Sequence, residues 1–207
     1  MAFYPLYIDL DGKRCVVIGG GEVAERKVIS LLECGANVEV ISPEFTPGLI
    51  KLAKESKLTI ISREYKPGDL AGATLAISAT DDSTVNEEVS REANENRIPV
   101  NVVDMPELCS FIVPSTIRRG DLIISISTSG SSPALAKSIR KQLQQLFGEE
   151  YADYCDILKN FRREVADTYD EPEERKRALD RLIESDAIDL IRAHKVQELE
   201  ERVRSCM

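Results

Sequence analysis

Lys13-Arg-Cys-Val-Val-Ile-Gly-Gly-Gly-Glu-Val-Ala-Glu-Arg-Lys27 is the stretch that decides how the chain is read. The apolar run Cys15 to Ile18 stops at three glycines, and a helix-compatible segment continues through Ala24 to Cys34. Strand, glycine turn and helix follow in that order. The spacing matches G-x-G-x-x-A, with Gly19 for the tight turn, Gly21 for close backbone approach to a pyrophosphate and Ala24 for close helix-on-strand packing. Backbone N–H groups at the start of the helix would face phosphate, and the helix dipole favours negative charge there. A glycine-rich turn in another α/β protein would share the letters, but the strand before it and the helix after it favour a dinucleotide site.

Working outward, strand and helix signals alternate. Val38–Ile41 reads as a second strand, Phe45–Ser56 as a helix with Leu49, Leu52 and Ala53 at helical spacing, and Leu58–Ser62 as a short β-rich run. Leu75 begins a strand that ends at Ala79-Thr80-Asp81-Asp82. Ser83–Asn96 is a charged helix with Val85, Val89 and Ala93 on its buried face, and Ile98–Val103 is a further strand with Asp104 at its carboxyl end. Such alternation implies a parallel sheet covered on both faces. The ligand crevice then lies beyond the carboxyl ends of the strands, where strand order reverses. Gly19, Gly20 and Gly21, Ser42-Pro43-Glu44, Ala79–Asp82 and Asp104 all occupy such ends, so they should converge. The acid Glu44 near the second strand, with no arginine beside it, leans toward NAD over NADP.

Composition narrows the class. The 207 residues carry a formal charge of −9, 43% hydrophobic residues and no tryptophan. No apolar run approaches the roughly 20 residues that cross a bilayer, and Met1–Asp9 lacks the pattern of a signal peptide, so a cytoplasmic protein with no membrane partner is expected. Five scattered cysteines form no C-x-x-C pair, and the single histidine, His194, falls in a polar helical stretch; no metal site is expected. The acidity disfavours nucleic acid, yet it is uneven. Residues 114–148 hold five basic side chains (Arg118, Arg119, Lys137, Arg140, Lys141) against one acid, Asp121. That basic segment is either a docking surface for an anion or an ordinary solvated face.

From Pro114 the pattern changes. Asp121–Thr128 is a strand that runs into Ser129-Gly-Ser-Ser-Pro, either a second anion-binding turn or a flexible connector. Ala134–Phe147 is an amphipathic helix with Leu135, Ile139, Leu143 and Leu146 on one face, Ser132 its N-cap and Pro133 its first residue. Tyr151–Ala166, Glu173–Glu184 and Asp186–Val203 are helical runs. The expected fold class is therefore α/β: a Rossmann-like parallel sheet over residues 1–113, a small α+β segment over 114–148, and a C-terminal helical domain over 149–207 that can cover a substrate.

Five blocks in order carry a family resemblance: Val17-Ile-Gly-Gly-Gly-Glu-Val-Ala-Glu-Arg-Lys27, Ala79-Thr-Asp-Asp82 followed by Val85-Asn86, Asn101-Val-Val-Asp104, Ser110-Phe-Ile-Val-Pro-Ser115, and Ser127-Thr-Ser-Gly-Ser-Ser-Pro-Ala-Leu-Ala136. With them the chain resembles the precorrin-2 dehydrogenase and sirohydrochlorin ferrochelatase module of siroheme synthases. The resemblance implies NAD-dependent oxidation of precorrin-2 to sirohydrochlorin. It also implies a homodimer in which residues 114–148 form the intersubunit region, and a catalytic role for Asp104. Gly19, Gly20, Gly21, Glu22, Val23, Ser42, Pro43, Glu44, Thr80 and Asn101 match the cofactor site; Ser110, Arg118, Ser129 and Lys137 are the expected substrate contacts. The carboxylate-rich tetrapyrrole suits the basic middle segment, and Asp104 at a strand end could take the proton that accompanies hydride loss. Read from the residues alone, Asp104 is more readily a cap or turn residue than a catalytic one.

Two alternatives stay open. A bifunctional enzyme would also insert ferrous or cobaltous ion into sirohydrochlorin. A non-catalytic NAD-binding regulator would share the glycine turn without needing Asp104 or the basic segment. The sequence ends at Met207, which leaves no room for the methyltransferase domain of the larger fused enzymes, so synthesis of precorrin-2 itself is not expected.

Overall fold

The computed structural model describes residues 3–207 and divides into two compact units, one ending at Val113 and the other beginning at Pro114. In the first unit the strands β1 (Arg14–Ile18), β2 (Asn37–Ser42), β3 (Thr59–Ser62), β4 (Leu75–Ser78) and β5 (Val100–Val102) alternate with the helices α1 (Glu22–Leu32), α2 (Pro47–Lys54) and α3 (Ser83–Glu95). All strand pairs are parallel, in the order β3-β2-β1-β4-β5. The chain moves outward from β1 through β2 to β3 and then returns to β4 on the other side of β1. That reversal puts the carboxyl ends of β1 and β4 side by side and opens a crevice between them.

The strands read as apolar runs because both faces are covered. From β1, Cys15 and Val17 pack with Ala24, Val28 and Leu31 of α1 and Leu49 of α2, while Val16 and Ile18 pack with Val89 and Ala93 of α3. α1 ends at Gly35, whose positive φ lets the Gly35 and Ala36 N–H groups bond back to Leu32 and Leu31 in a Schellman turn.

β5 is an edge strand, and its outward backbone groups are answered by the segment that follows it. The Val100 N–H donates to Ser110 Oγ at 2.8 Å and the Val102 N–H to Cys109 Sγ at 3.1 Å. Side chains thus seal an edge that would otherwise invite another strand.

The loop after β3 is held by two carboxylates. Glu92 of α3, 9% exposed, accepts from the Gly68 and Leu70 N–H groups at 2.9 Å each and from the Tyr65 hydroxyl; burial and this neighbour push the Tyr65 phenol up. Asp69 accepts both arms of Arg63 at 2.7 Å and the Lys66 N–H at 2.8 Å.

The second unit contains an antiparallel hairpin, β6 (Ser115–Arg119) and β7 (Leu122–Ile126), then α4 (Pro133–Leu146), α5 (Glu150–Thr168), α6 (Pro172–Ile183), α7 (Ala187–Arg192) and α8 (Val196–Ser205). Three features depart from the sequence expectation. β6 was not anticipated, because its inward alternation rests on Ile117 between Thr116 and Arg118; Gly120, at φ +56°, makes the two-residue turn that pairs it with β7.

The packed stripe of α4 runs through Ala136, Ile139, Leu143 and Phe147, leaving Leu135 at 51% and Leu146 at 62% exposure. Finally, the helical run expected over Asp186–Val203 breaks at His194. That residue takes φ +54°, and the His194 and Lys195 N–H groups bond back to Ile191 and Leu190, so His194 is the exposed turn residue of a Schellman motif and not part of a helix. Phe161, Val165, Ala178, Leu182 and Ala187 form the core of these helices, and α5 also packs against β6 and β7, which joins residues 114–148 to the helices after them.

The Arg63 guanidinium holds the Asp69 carboxyl below its usual range, against the opposing effect of burial. A lowered folded pKa contributes stability above the unfolded value, and that contribution disappears as pH falls through the folded one. Urea midpoints of the wild type should therefore fall more steeply than those of Asp69→Asn below about pH 4; parallel curves would remove Asp69 from the acid sensitivity.

Candidate functional site

The three glycines do three different things. Gly19 takes φ +110°, and a Cβ there would lie 2.3 Å from the Ala79 carbonyl oxygen just beyond β4. A Cβ at Gly20 would lie 1.9 Å from the Glu44 carbonyl oxygen and 2.9 Å from Ser42 Oγ, in the loop after β2. Gly21 meets nothing within 4 Å. The first two positions are glycine because neighbouring backbone presses on them; the third faces open space.

Gly21 is also the N-cap of α1, in extended backbone with no side chain capping the first turn. α2, α3 and α4 by contrast are capped by Thr46, Asp82 and Ser132. The first N–H groups of α1 therefore point out beside a glycine that offers no bulk, an arrangement that fits the pyrophosphate of a dinucleotide. Ala24 is fully buried beneath the turn, where a larger side chain would lift the helix from the sheet. Glu22 is exposed and Val23 half-buried in that first turn.

The loop after β2 wraps the turn from one side. The Thr46 N–H donates to the Gly20 carbonyl at 2.9 Å, and the Thr46 hydroxyl bonds the Glu25 carboxylate of α1. Ser42 is buried, while Pro43 and Glu44 are exposed at the rim. On the other side, Ser78 Oγ donates to Asn86 Oδ1 at 2.6 Å and Asn86 Nδ2 donates to the Thr80 carbonyl at 3.1 Å. Asp82 accepts the Thr84 and Val85 N–H groups, and Thr80 Oγ1 accepts the Asp82 N–H at 3.3 Å. The turn after β4 is thus built before any ligand arrives.

Beyond β5, Asp104 is exposed and left-handed at φ +60°, a conformation that costs a non-glycine residue about 1 kcal/mol or more. Asn101 is half-buried, its amide donating to the Phe111 carbonyl at 3.1 Å and to Cys109 Sγ at 3.6 Å. One residue here was missed by sequence reasoning. Lys27 of α1 is half-buried; burial and Arg26 push its ammonium down, while Asp104 and Cys109 draw it up. The available signal was its place in the second turn of the fingerprint helix, whose side chains lean back toward the glycines.

The structure brings Gly19 to Val23, Ser42 to Glu44, Thr80, Asn101 and Asp104 to the carboxyl ends of one sheet. Ser110 is not among them: it lies beside Val100 at the amino end of β5, with its hydroxyl engaged there. Arg118, Ser129 and Lys137 belong to the second unit and are exposed. Ser129 is left-handed at φ +51°, with its N–H on Ser127 Oγ. Arg119, by contrast, is committed to the Phe147 carbonyl and to Glu149. A cavity of about 290 Å³ lined by Tyr65, Gly68, Glu88, Arg91 and Glu92 shares no residue with the crevice. Among the described residues no three His, Cys, Asp or Glu side chains are arranged to hold a metal ion, and no helix is long and apolar enough to cross a membrane.

The family model described as "Putative NAD(P)-binding" matches residues 6–115, and one described as "Sirohaem biosynthesis protein central" matches residues 119–146. A siroheme synthase of Methylobacillus flagellatus is 41% identical over 85% of this chain and 38% of its own length; one of Nitrosospira multiformis is 37% identical over 95% and 43%. The chain thus spans about two fifths of the curated relatives it matches. The solved structure of SirC, a precorrin-2 dehydrogenase, superposes with a TM-score of 0.80 over 96% of this chain and 100% of that one, at 24% identity.

Gly21→Asp should fold normally, because a Cβ there meets nothing within 4 Å, yet lose cofactor binding in calorimetric titration. Gly19→Ala should instead lower stability by about 1–3 kcal/mol in urea melts. Cofactor affinity unchanged in Gly21→Asp would remove the nucleotide from this turn.

Proposed function

We propose that this chain, which belongs to the NAD(P)-binding family whose model covers residues 6–115, oxidises precorrin-2 to sirohydrochlorin with NAD. The observation that carries the proposal is the crevice itself: an uncapped α1 start opening at Gly21, with the Asp104 carboxylate beyond the carboxyl end of β5, two strands along the same edge of the sheet. Relatives named siroheme synthase and a fold neighbour named precorrin-2 dehydrogenase support the substrate.

NAD, when bound, accepts the hydride. The chain's own residues do the rest. The α1 N–H groups hold the pyrophosphate, and Ser42, Pro43 and Glu44 border the adenosine ribose. NAD is favoured over NADP because the exposed Glu44 and the Glu25 carboxylate bonded to Thr46 would repel a 2′-phosphate, and no arginine stands in that loop to receive one. Asp104 takes the proton released as hydride leaves, so the substrate loses one hydride and one proton in forming a new double bond. Thr80 and Asn101 shape the nicotinamide side.

In the second unit, Arg118, Ser129 and Lys137 are the proposed contacts for substrate carboxylates. Residues 114–148 are the proposed dimerisation segment, where exposed Leu135 and Leu146 offer apolar surface to a second copy. A cytoplasmic setting suits a soluble nucleotide-dependent step.

Anaerobic incubation with precorrin-2 and NAD should raise NADH and sirohydrochlorin absorbance in step. Asp104→Asn should lower kcat by about 10²-fold or more with NAD affinity unchanged. Full turnover in that variant would take the base role from Asp104, and NADH-free tetrapyrrole binding by the wild type would favour a non-catalytic binder.

A further inference from the structure

Lys27 is a cation partly removed from water with nothing close enough to neutralise it. Ala24, Val28 and Leu31, its neighbours along α1, are buried, so Lys27 stands at the margin of the packed face and is itself half-buried. Among the described residues its ammonium makes no hydrogen bond and no ion pair within 4.0 Å. Its charged and titratable surroundings are Arg26 on its own helix, and Asp104 and Cys109 from the segment after β5. Burial outweighs the attraction of Asp104 and Cys109, and the ammonium is pushed down.

The direction of the side chain matters as much as its burial. Side chains on a helix lean toward its N-terminus, and the N-terminus of α1 is the glycine turn. Lys27 therefore reaches back toward the carboxyl edge of the sheet. Asp104 and Cys109 as neighbours place it on the β5 side of that edge, away from the loop after β2.

A half-desolvated ammonium gains more from an incoming anion than a fully hydrated one, because part of its dehydration cost has already been met and the attraction is less screened. Two anions enter this crevice if the function proposed above holds: the cofactor pyrophosphate and the carboxylates of the tetrapyrrole. The pyrophosphate has the open N–H groups at Gly21. The β5 side belongs to the reacting end.

On that functional reading, we propose that Lys27 binds a carboxylate of the tetrapyrrole beside Asp104. The contact fixes one acid side chain of the macrocycle and so sets which carbon faces the base. It supplies a fixed point in the first unit beside Asp104, where Ser110, the other contact expected there, is engaged with Val100.

The test uses the full chain and equilibrium binding, with no need for turnover. Sirohydrochlorin is titrated by absorbance and NAD by calorimetry into wild type, Lys27→Met and Lys27→Arg, with Lys27→Gln replacing the methionine variant if that one does not fold. Lys27→Met should weaken sirohydrochlorin binding about tenfold to hundredfold and change NAD affinity less than about twofold. Lys27→Arg, which keeps the charge, should stay within about threefold of wild type. Unchanged sirohydrochlorin affinity in Lys27→Met overturns the assignment, as does an equal loss of NAD affinity, which would give Lys27 to the pyrophosphate. Wild type that binds NAD but no sirohydrochlorin would instead overturn the functional reading on which the assignment rests.

Discussion

The close approach of backbone to backbone at Gly19 and Gly20 is the constraint on which the first unit depends. These two residues sit against the carbonyl groups of Ala79 and Glu44, so the turn after β1 is wedged between the loops after β4 and β2. No side chain fits in either gap. Wedging the turn fixes where α1 begins, and Ala24 then lets the helix settle on the sheet. Hydrogen bonds from Thr46 to Gly20 at 2.9 Å and from Ala79 to Ile18 at 2.8 Å tie the two flanking loops to the turn. A crevice bounded by four strand ends is the outcome.

This constraint explains a contrast among the helices. α2, α3 and α4 satisfy their first N–H groups with their own side chains, the ordinary way of closing a helix start. α1 does not, because its N-cap, Gly21, has no side chain to offer. Gly19 and Gly20 allow the close packing, and Gly21 leaves the donors of the first turn uncapped, so three adjacent glycines divide packing of the turn and openness of the helix start between them.

The first unit was legible in the sequence because its signals are local and redundant. Apolar runs of four or five residues mark strands buried on both faces, and each ends in glycine, serine or aspartate where the chain turns. Convergence of Gly19, Ser42, Thr80 and Asp104 followed from the parallel arrangement alone. The second unit was less legible: β6 has too few apolar residues to show its alternation, and the packed stripe of α4 keeps Ile139 and Leu143 but takes Ala136 and Phe147 in place of Leu135 and Leu146 at its ends. His194 breaks a helix that periodicity would continue, since nothing in a period reveals a left-handed residue. Ser110 shows a further limit. A hydroxyl in a motif can serve the sheet edge, and only its hydrogen bond to Val100 reveals this.

On the proposed function, Asp104 and Lys27 show why the reacting side of the crevice is harder to read than the phosphate side. The phosphate side depends on the absence of side chains, and a run of glycines announces it. The other side depends on two charged groups far apart in sequence, one held in left-handed backbone after β5 and one returning along α1. The backbone at Asp104 is costly, and the network beneath it is what maintains it: Val103 bonds to Ser78, Met105 to Val102, and Cys109 to the Val102 N–H. An aspartate held by such a network is positioned before any ligand binds, which is what the base role proposed for it would require. The half-buried ammonium nearby supplies opposite charge without forming a close pair, so the carboxylate remains available as an acceptor. A tight salt bridge would have stabilised both groups and consumed the lone pairs that proton transfer needs.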